Sequence, residues 1–131
     1  MKKMTEKNLW DAFAGESQAH VKYLNFAERA ERDGFANVAR LFRAASFAEQ
    51  VHASNHLRAL SGISDTAANL AQALSGENFE VEEMYPAYQA VAEDQGEQGA
   101  LRSMSRADAA EKVHSELYGT AKAAVEAGSD I

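Results

Sequence analysis

Ala48-Glu49-Gln50-Val51-His52 returns 62 residues later as Ala110-Glu111-Lys112-Val113-His114. Residues 23–60 match residues 85–122 at that constant offset, so that Tyr23/Tyr85, Gly34/Gly96, Arg40/Arg102, Glu49/Glu111 and His52/His114 coincide. Upstream the offset is 61, pairing Asn8-Leu9 with Asn69-Leu70 and Gly15-Glu16 with Gly76-Glu77. Each Glu-x-x-His unit is therefore preceded by a glutamate on an earlier segment, Glu16 or Glu77. A carboxylate and an imidazole three residues apart lie one turn along the same helical face. One such pair is common by chance. Two in a duplicated frame, each matched by an upstream glutamate, form the ligand set of a carboxylate-bridged two-metal site in a four-helix bundle.

The rest of the chain supports an all-α reading. It has one proline among 131 residues and no cysteine, which excludes disulfides, zinc ribbons and thiolate-bound iron within this sequence. Helix A is expected from about Glu6 to Arg32 with Thr5 as N-cap, helix B from after Gly34 to about Leu60, helix C from Thr66 to Gln95, and helix D from after Gly96 to Ala127. Ser61-Gly62-Ile63-Ser64-Asp65 is a short connection, its glycine ending one helix and its polar residues capping the next. The expectation is one domain over residues 1–131, built from hairpin A–B (about 5–60) and hairpin C–D (about 66–127). The net charge of −7 argues against nucleic acid, because nothing neutralises phosphates. No stretch is long enough to span a membrane, and the start lacks a signal peptide's apolar run, so a soluble cytoplasmic protein is expected.

Glu16, Glu49, Glu77 and Glu111 all fall near mid-helix, flanked by apolar stripes. Leu9, Ala12, Phe13, Tyr23 and Ala27 share the face of Glu16, and Phe42, Ala45 and His56 that of Glu49. Unpaired inward carboxylates are severely penalised, so a ring of them implies bound cations. Carboxylates mixed with imidazole favour iron or manganese over structural zinc. His20 reads as a packed histidine rather than a ligand, and His56 lies about two turns from Glu49, too far to share its metal. Trp10, Phe26, Phe42 and Phe47 read as core or interface, and the arginines as solvated helix faces balancing acidic neighbours.

Helix C breaks the repeat. Glu16 to Tyr23 is seven residues, whereas Glu77 to Tyr85 is eight. A regular α-helix would rotate Tyr85 about 80° away from Glu77, and one extra residue absorbed as a π-bulge restores the match. Pro86, which cannot donate to Glu82, fits a disrupted ladder there. The insertion surrounds Glu80, one turn from Glu77, where helix A has Ala19. Glu80 is read as a fifth carboxylate ligand.

Ala12-Phe13-Ala14-Gly15-Glu16, Ala48-Glu49-Gln50-Val51-His52, Gly76-Glu77-Asn78-Phe79-Glu80 with Glu83-Met84-Tyr85-Pro86, and Ala110-Glu111-Lys112-Val113-His114 resemble the rubrerythrin family over nearly the whole chain. The resemblance implies a ferritin-like four-helix bundle holding two iron ions, with mixed Fe/Mn or Fe/Zn pairs as variants. It also implies reduction of hydrogen peroxide to water, the alternative being a ferroxidase or iron-handling protein. By resemblance, Glu49 and Glu111 would bridge or share the irons, Glu16 and Glu77 would be terminal ligands, and His114 would bind one iron. Glu80 and His52 would exchange on the other as its oxidation state changes. The hydroxyls of Tyr23 and Tyr85 would orient ligating carboxylates. Classical members carry a four-cysteine rubredoxin-like domain that is absent from this sequence, which reads as a rubredoxin-free relative or a truncated form, and in either case an external donor, rubredoxin-like or a reductase, is expected. Ferritin-type bundles also need a B–C crossover along the whole bundle. Residues 61–65 reach roughly 17 Å against a helix of about 39 Å, which leaves a simple up-down-up-down bundle or an exchange of hairpins between two chains, and the resemblance to di-iron bundles favours the exchanged homodimer.

Overall fold

A computed structural model describes all 131 residues. The chain is helical throughout, without strands, and divides into two compact units, Met1–Ile63 and Ser64–Ile131. The first unit is the antiparallel hairpin of α1 (Lys3–Arg32) and α2 (Ala36–Ala59). The second pairs α5 (Gln98–Glu126) with a continuous helix made of α3 (Thr66–Phe79), a π-helical turn (Glu80–Met84) and α4 (Tyr85–Asp94). The boundary between the units falls in the connection read from the sequence.

The two hairpin turns are closed identically. Gly34 and Gly96 take left-handed φ values of 87° and 72°. Around the first, Phe35 N–H donates to the Ala30 carbonyl at 2.8 Å and Gly34 N–H to Glu31 at 3.0 Å; around the second, Glu97 donates to Ala92 at 2.8 Å and Gly96 to Glu93 at 3.0 Å. This double bond satisfies the last helical carbonyls and needs a residue tolerant of positive φ. At the end of α2 the same motif recurs with a different residue in the strained position: Ser61, not Gly62, has φ 55°. A Cβ on Gly62 would come within 2.4 Å of Leu57 Cδ1, so that the Leu57 side chain would have to shift. Asp65 caps α3 by accepting from Ala68 N–H at 2.8 Å. Thr5 does not cap α1. The helix begins at Lys3, two residues earlier, with no side-chain cap, because neither proline nor glycine stops it from extending into solvent.

Each hairpin seam is lined with small residues. Ala27, Ala30, Ala39 and Ala53 are buried in the first and Ala92 and Ala121 in the second, and the largest fully buried side chain is Ser46. Alanine lets the helix backbones approach closely. The larger aromatics lie beside the seam: Phe26 and Phe42 meet edge-to-face at 5.5 Å, as do Trp10 and Phe13 at 5.9 Å, and Tyr23 lies tilted against Phe42 at 6.0 Å. Trp10, Phe26 and Phe47 are exposed, Phe47 at 66%, while Phe42 is half-buried. Two packed helices bury one seam, and their outer apolar faces stay open. Three arginines balance acidic neighbours as read, Arg29 pairing with Asp33, Arg32 with Glu28 and Arg43 with Glu31, whereas Arg58 donates to Asn55 Oδ1 instead.

The π-turn sits where the change of offset requires it. Tyr85 N–H reaches back five residues to the Glu80 carbonyl, and Pro86 follows immediately. The extra residue is thus absorbed without breaking the helix, and the register with α5 is kept on both sides.

Candidate metal centre

Each hairpin brings its upstream glutamate against its Glu-x-x-His unit. In the first, ligand atoms of Glu16 on α1 and of Glu49 and His52 on α2 all lie within 4.8 Å of one another. In the second, Glu77 on α3 joins Glu111 and His114 on α5 with the same closeness. The histidines lean on their own glutamates: His52 Nδ1 stands 2.9 Å from Glu49 Oε2, and His114 Nδ1 2.7 Å from Glu111 Oε2 and 3.6 Å from Glu77 Oε1. The carboxylates are largely covered, with side-chain exposures of 20% for Glu49, 18% for Glu111 and 17% for Glu77, whereas His52 and His114 are about half exposed.

The antiparallel register that produces this is fixed by polar contacts within the seams. The Ser46 hydroxyl donates to the His20 carbonyl at 2.8 Å, and His20 Nδ1 lies 2.9 Å from the Ser46 carbonyl. His20 is therefore satisfied inside its hairpin, as its position suggested. In the second hairpin the Ser115 hydroxyl donates to Asn78 Oδ1 at 2.5 Å.

Grouped carboxylates without a cation must share protons. The hydrogen bond from Glu49 raises Glu16 above the ordinary 4.5, with burial and the Glu49 charge adding to it; the same bond, together with His52, holds Glu49 below that value. Burial pushes Glu77 upward first, followed by the hydrogen bond and charge of Glu111 and then the charge of Glu80. Glu77 Oε2 is buried with no hydrogen-bond partner. A cation would replace the shared proton and supply the missing partner, so these residues fit a bound metal, and their hard oxygens with one imidazole each suit iron or manganese.

Glu80 is half-buried on the π-turn, close enough for its charge to act on Glu77 and Tyr85, but outside the group of three whose atoms converge. Tyr23 is half-buried against Phe42 and Phe26. Tyr85 is half-buried too, its ionisation pushed up by burial and by Glu80, Glu111, Asp108 and Glu77. His56, one turn beyond His52, is half-buried and its charge reaches Glu16.

Asp108 was not legible as part of this neighbourhood. It is 9% exposed, its Oδ2 accepts from Lys112 Nζ at 2.9 Å, and its Oδ1 is buried without a partner. The available signal was positional, since Asp108 lies three residues before Glu111 where the first repeat places Ser46.

A family model described as Rubrerythrin matches residues 7–122. Rubrerythrin-2 of Clostridium acetobutylicum is 35% identical, covering 98% of this chain and 77% of that protein. Rubrerythrin of Nitratidesulfovibrio vulgaris is 34% identical over 87% of this chain and 66% of its own length, and nigerythrin of the same organism 34% over 96% and 69%. Among solved structures, fully reduced nigerythrin is 33% identical, covering 94% of this chain and 68% of that one with a TM-score of 0.49. The chain thus spans about two thirds to three quarters of these relatives. With a family match over most of its length and both Glu-x-x-His units inside it, the chain belongs to the rubrerythrin family, an all-α, ferritin-like fold built from two repeated helical hairpins.

Proposed function

We propose that this chain is a di-iron peroxidase that reduces hydrogen peroxide to water with electrons from an external donor protein. The observation that carries this reading is the pair of convergent Glu/Glu/His groups, with an additional glutamate, Glu80, on a π-turn close to the second. Bound ferrous iron would supply the two electrons for cleaving the peroxide bond. Glu16 and Glu77 would hold it as terminal ligands, Glu49 and Glu111 as shared ones, with His114 at one position and His52 or Glu80 at the other. The more highly charged ferric state would favour the anion, and neutral imidazole would suffice for the ferrous one. His52 is half exposed and Glu80 sits on a non-α turn, so both can move at low cost. Tyr23 and Tyr85 orient the carboxylates through their hydroxyls.

These 131 residues have no cysteine to hold an iron–thiolate centre, so the electron source is proposed to lie outside them. A rubredoxin-like protein or a reductase is the proposed donor. No helix is long and apolar enough to cross a membrane, and the proposed setting is the cytoplasm. The working unit is proposed to be a homodimer exchanging hairpins, so that residues 1–131 of each chain contribute to ferritin-like domains. The short 61–65 connection and the open apolar faces carrying Trp10, Phe26 and Leu117 support this. Light scattering that finds a monomer refutes the exchange.

The activity is tested by stopped-flow oxidation of the anaerobically reduced, iron-loaded protein. Peroxide is expected to oxidise the centre much faster than oxygen does. If oxygen is as fast or faster, the peroxidase reading fails in favour of a ferroxidase.

A further inference from the structure

We propose that the outward face of α2, where Arg40, Arg43 and Arg58 surround the exposed ring of Phe47, receives the electron donor, a small acidic protein with a one-electron centre. This rests on the reading of the chain as a peroxidase fed by an external donor, and adds where that donor docks and what charge it carries. Arg40 and Arg43 lie seven and four residues before Phe47, and Arg58 eleven after it, so all stand within about 40° of one stripe. All four are exposed, Phe47 at 66%. Glu31 is the one carboxylate paired with any of the three arginines, and Arg58 donates to the neutral Asn55. The single acidic residue of α2 is Glu49, and it points about 160° round the helix from Phe47.

Charge, size and position select the occupant. Residues 1–63 hold nine of the thirteen lysines and arginines against seven acidic residues, whereas residues 64–131 hold four against thirteen. An acidic protein is therefore drawn to the first unit and repelled by the second, which orients it as well as attracting it. An aromatic ring among arginines has the composition of an interface core. One ring and three guanidinium groups fall far short of the roughly 20–30 residues a side of a stable complex, and brief electron-transfer encounters are the class with the smallest contacts. Only the thickness of α2, about 10–12 Å with its side chains, separates this face from Glu49 and His52 on the same helix. Each visit oxidises one donor centre by one electron and returns one ferric ion to the ferrous state, so two visits restore the electrons used per peroxide. The fold itself does not require the stripe. At offset 62 the second repeat has Arg102, Ser105, Ala109 and Thr120 in its place.

The probe is an acidic rubredoxin in two forms, zinc-substituted for binding and iron-loaded and reduced for electron transfer. Added to the isotopically labelled, metal-free full chain at low ionic strength, the zinc form should shift amide resonances of residues 40–58, an effect that high salt removes. In stopped flow, the reduced iron form should re-reduce the peroxide-oxidised, iron-loaded chain. The second-order rate should fall at least tenfold when Arg40→Glu and Arg58→Glu are combined, and to a lesser degree in Phe47→Ala. Arg102→Glu, at the matching place in the second repeat, should leave it unchanged. Peroxide should oxidise the pre-reduced variants as fast as the native protein, which separates lost docking from a damaged centre. Absent shifts, shifts confined to residues 64–131, equal rates in the charge-reversed variant, or a Phe47→Ala change that lowers only self-association in sedimentation overturn the proposal. Oxidation of the native centre by peroxide no faster than by oxygen overturns the peroxidase reading instead, wherever the donor binds.

Discussion

Replacing Glu77 by glutamine should change the stability of this protein in opposite directions with and without metal. Glu77 lies with its ligand oxygen within 4.8 Å of those of Glu111 and His114, and its other oxygen is buried with no partner. Two carboxylates at that separation repel by about 1 kcal/mol in the dielectric of water, and by more in a covered seam. Glutamine keeps the shape and removes the repulsion, so the metal-free variant should be stabler by about 1 kcal/mol, roughly 4 °C in Tm for a chain of this size. With metal bound the sign reverses. Loss of a direct anionic ligand should cost at least the hundredfold at the upper end of what supporting residues cost, or about 2.7 kcal/mol of ligand-linked stability, leaving the variant below the native protein by about 2 kcal/mol. The pH dependence follows from the raised value of Glu77. Its folded form binds a proton more readily than the unfolded form, so the native metal-free protein is destabilised by Glu77 as pH rises from 4.5 through the raised folded value. The advantage of the variant should therefore be largest at neutral pH and vanish as pH falls towards 4.5. Thermal melts in chelator and in excess Mn²⁺, at several pH values, provide the measurement. A variant that melts above the native protein in both conditions, or below it in both, refutes the reasoning.

Glu80→Ala should retain bound metal, measured by elemental analysis, while slowing oxidation by peroxide at least tenfold in stopped flow; unchanged rates would remove Glu80 from the site. Gly96→Ala should cost about 1–2 kcal/mol by denaturant melts, because φ 72° is strained for any residue with a Cβ, and Gly34→Ala should cost the same. Ser46→Ala should cost about 1 kcal/mol by losing its bond to the His20 carbonyl, and exchange of the backbone amides around His20 should quicken; protection equal to that of the native protein would show that the bond does not fix the register.

The sequence made the duplication and its imperfection plain, and these carry most of the fold. A shift of offset from 61 to 62 can be absorbed only within the helix that holds it, and Pro86 marks the place, so the π-turn at Glu80–Met84 was readable without coordinates. The glutamates and histidines stood out as candidates because three matched positions in two repeats exceed chance. Other features were not. Thr5 looked like a cap, but nothing upstream obliged the helix to wait for it. Gly62 looked like the left-handed residue ending α2, yet it lies against Leu57, and Ser61 bears the strain. Both are decided by neighbours within a turn or two, which residue type alone does not specify. Asp108 escaped notice because an aspartate four residues before a lysine ordinarily reads as a solvated surface pair.

Asp108 also shows why two copies of one hairpin need not perform the same work. Both repeats close the same turn, set the same register and converge the same three ligand types. What differs is the polar residue that each buries one turn away. A hydroxyl completes its own hydrogen bonds and leaves the neighbouring carboxylates to share a proton. A carboxylate adds charge to a group already short of partners, as the unpaired oxygens of Glu77 and Asp108 show. Without a cation that arrangement is the costlier of the two, since buried unpaired carboxylates oppose folding. A cation bound there would offset that cost with the same charges.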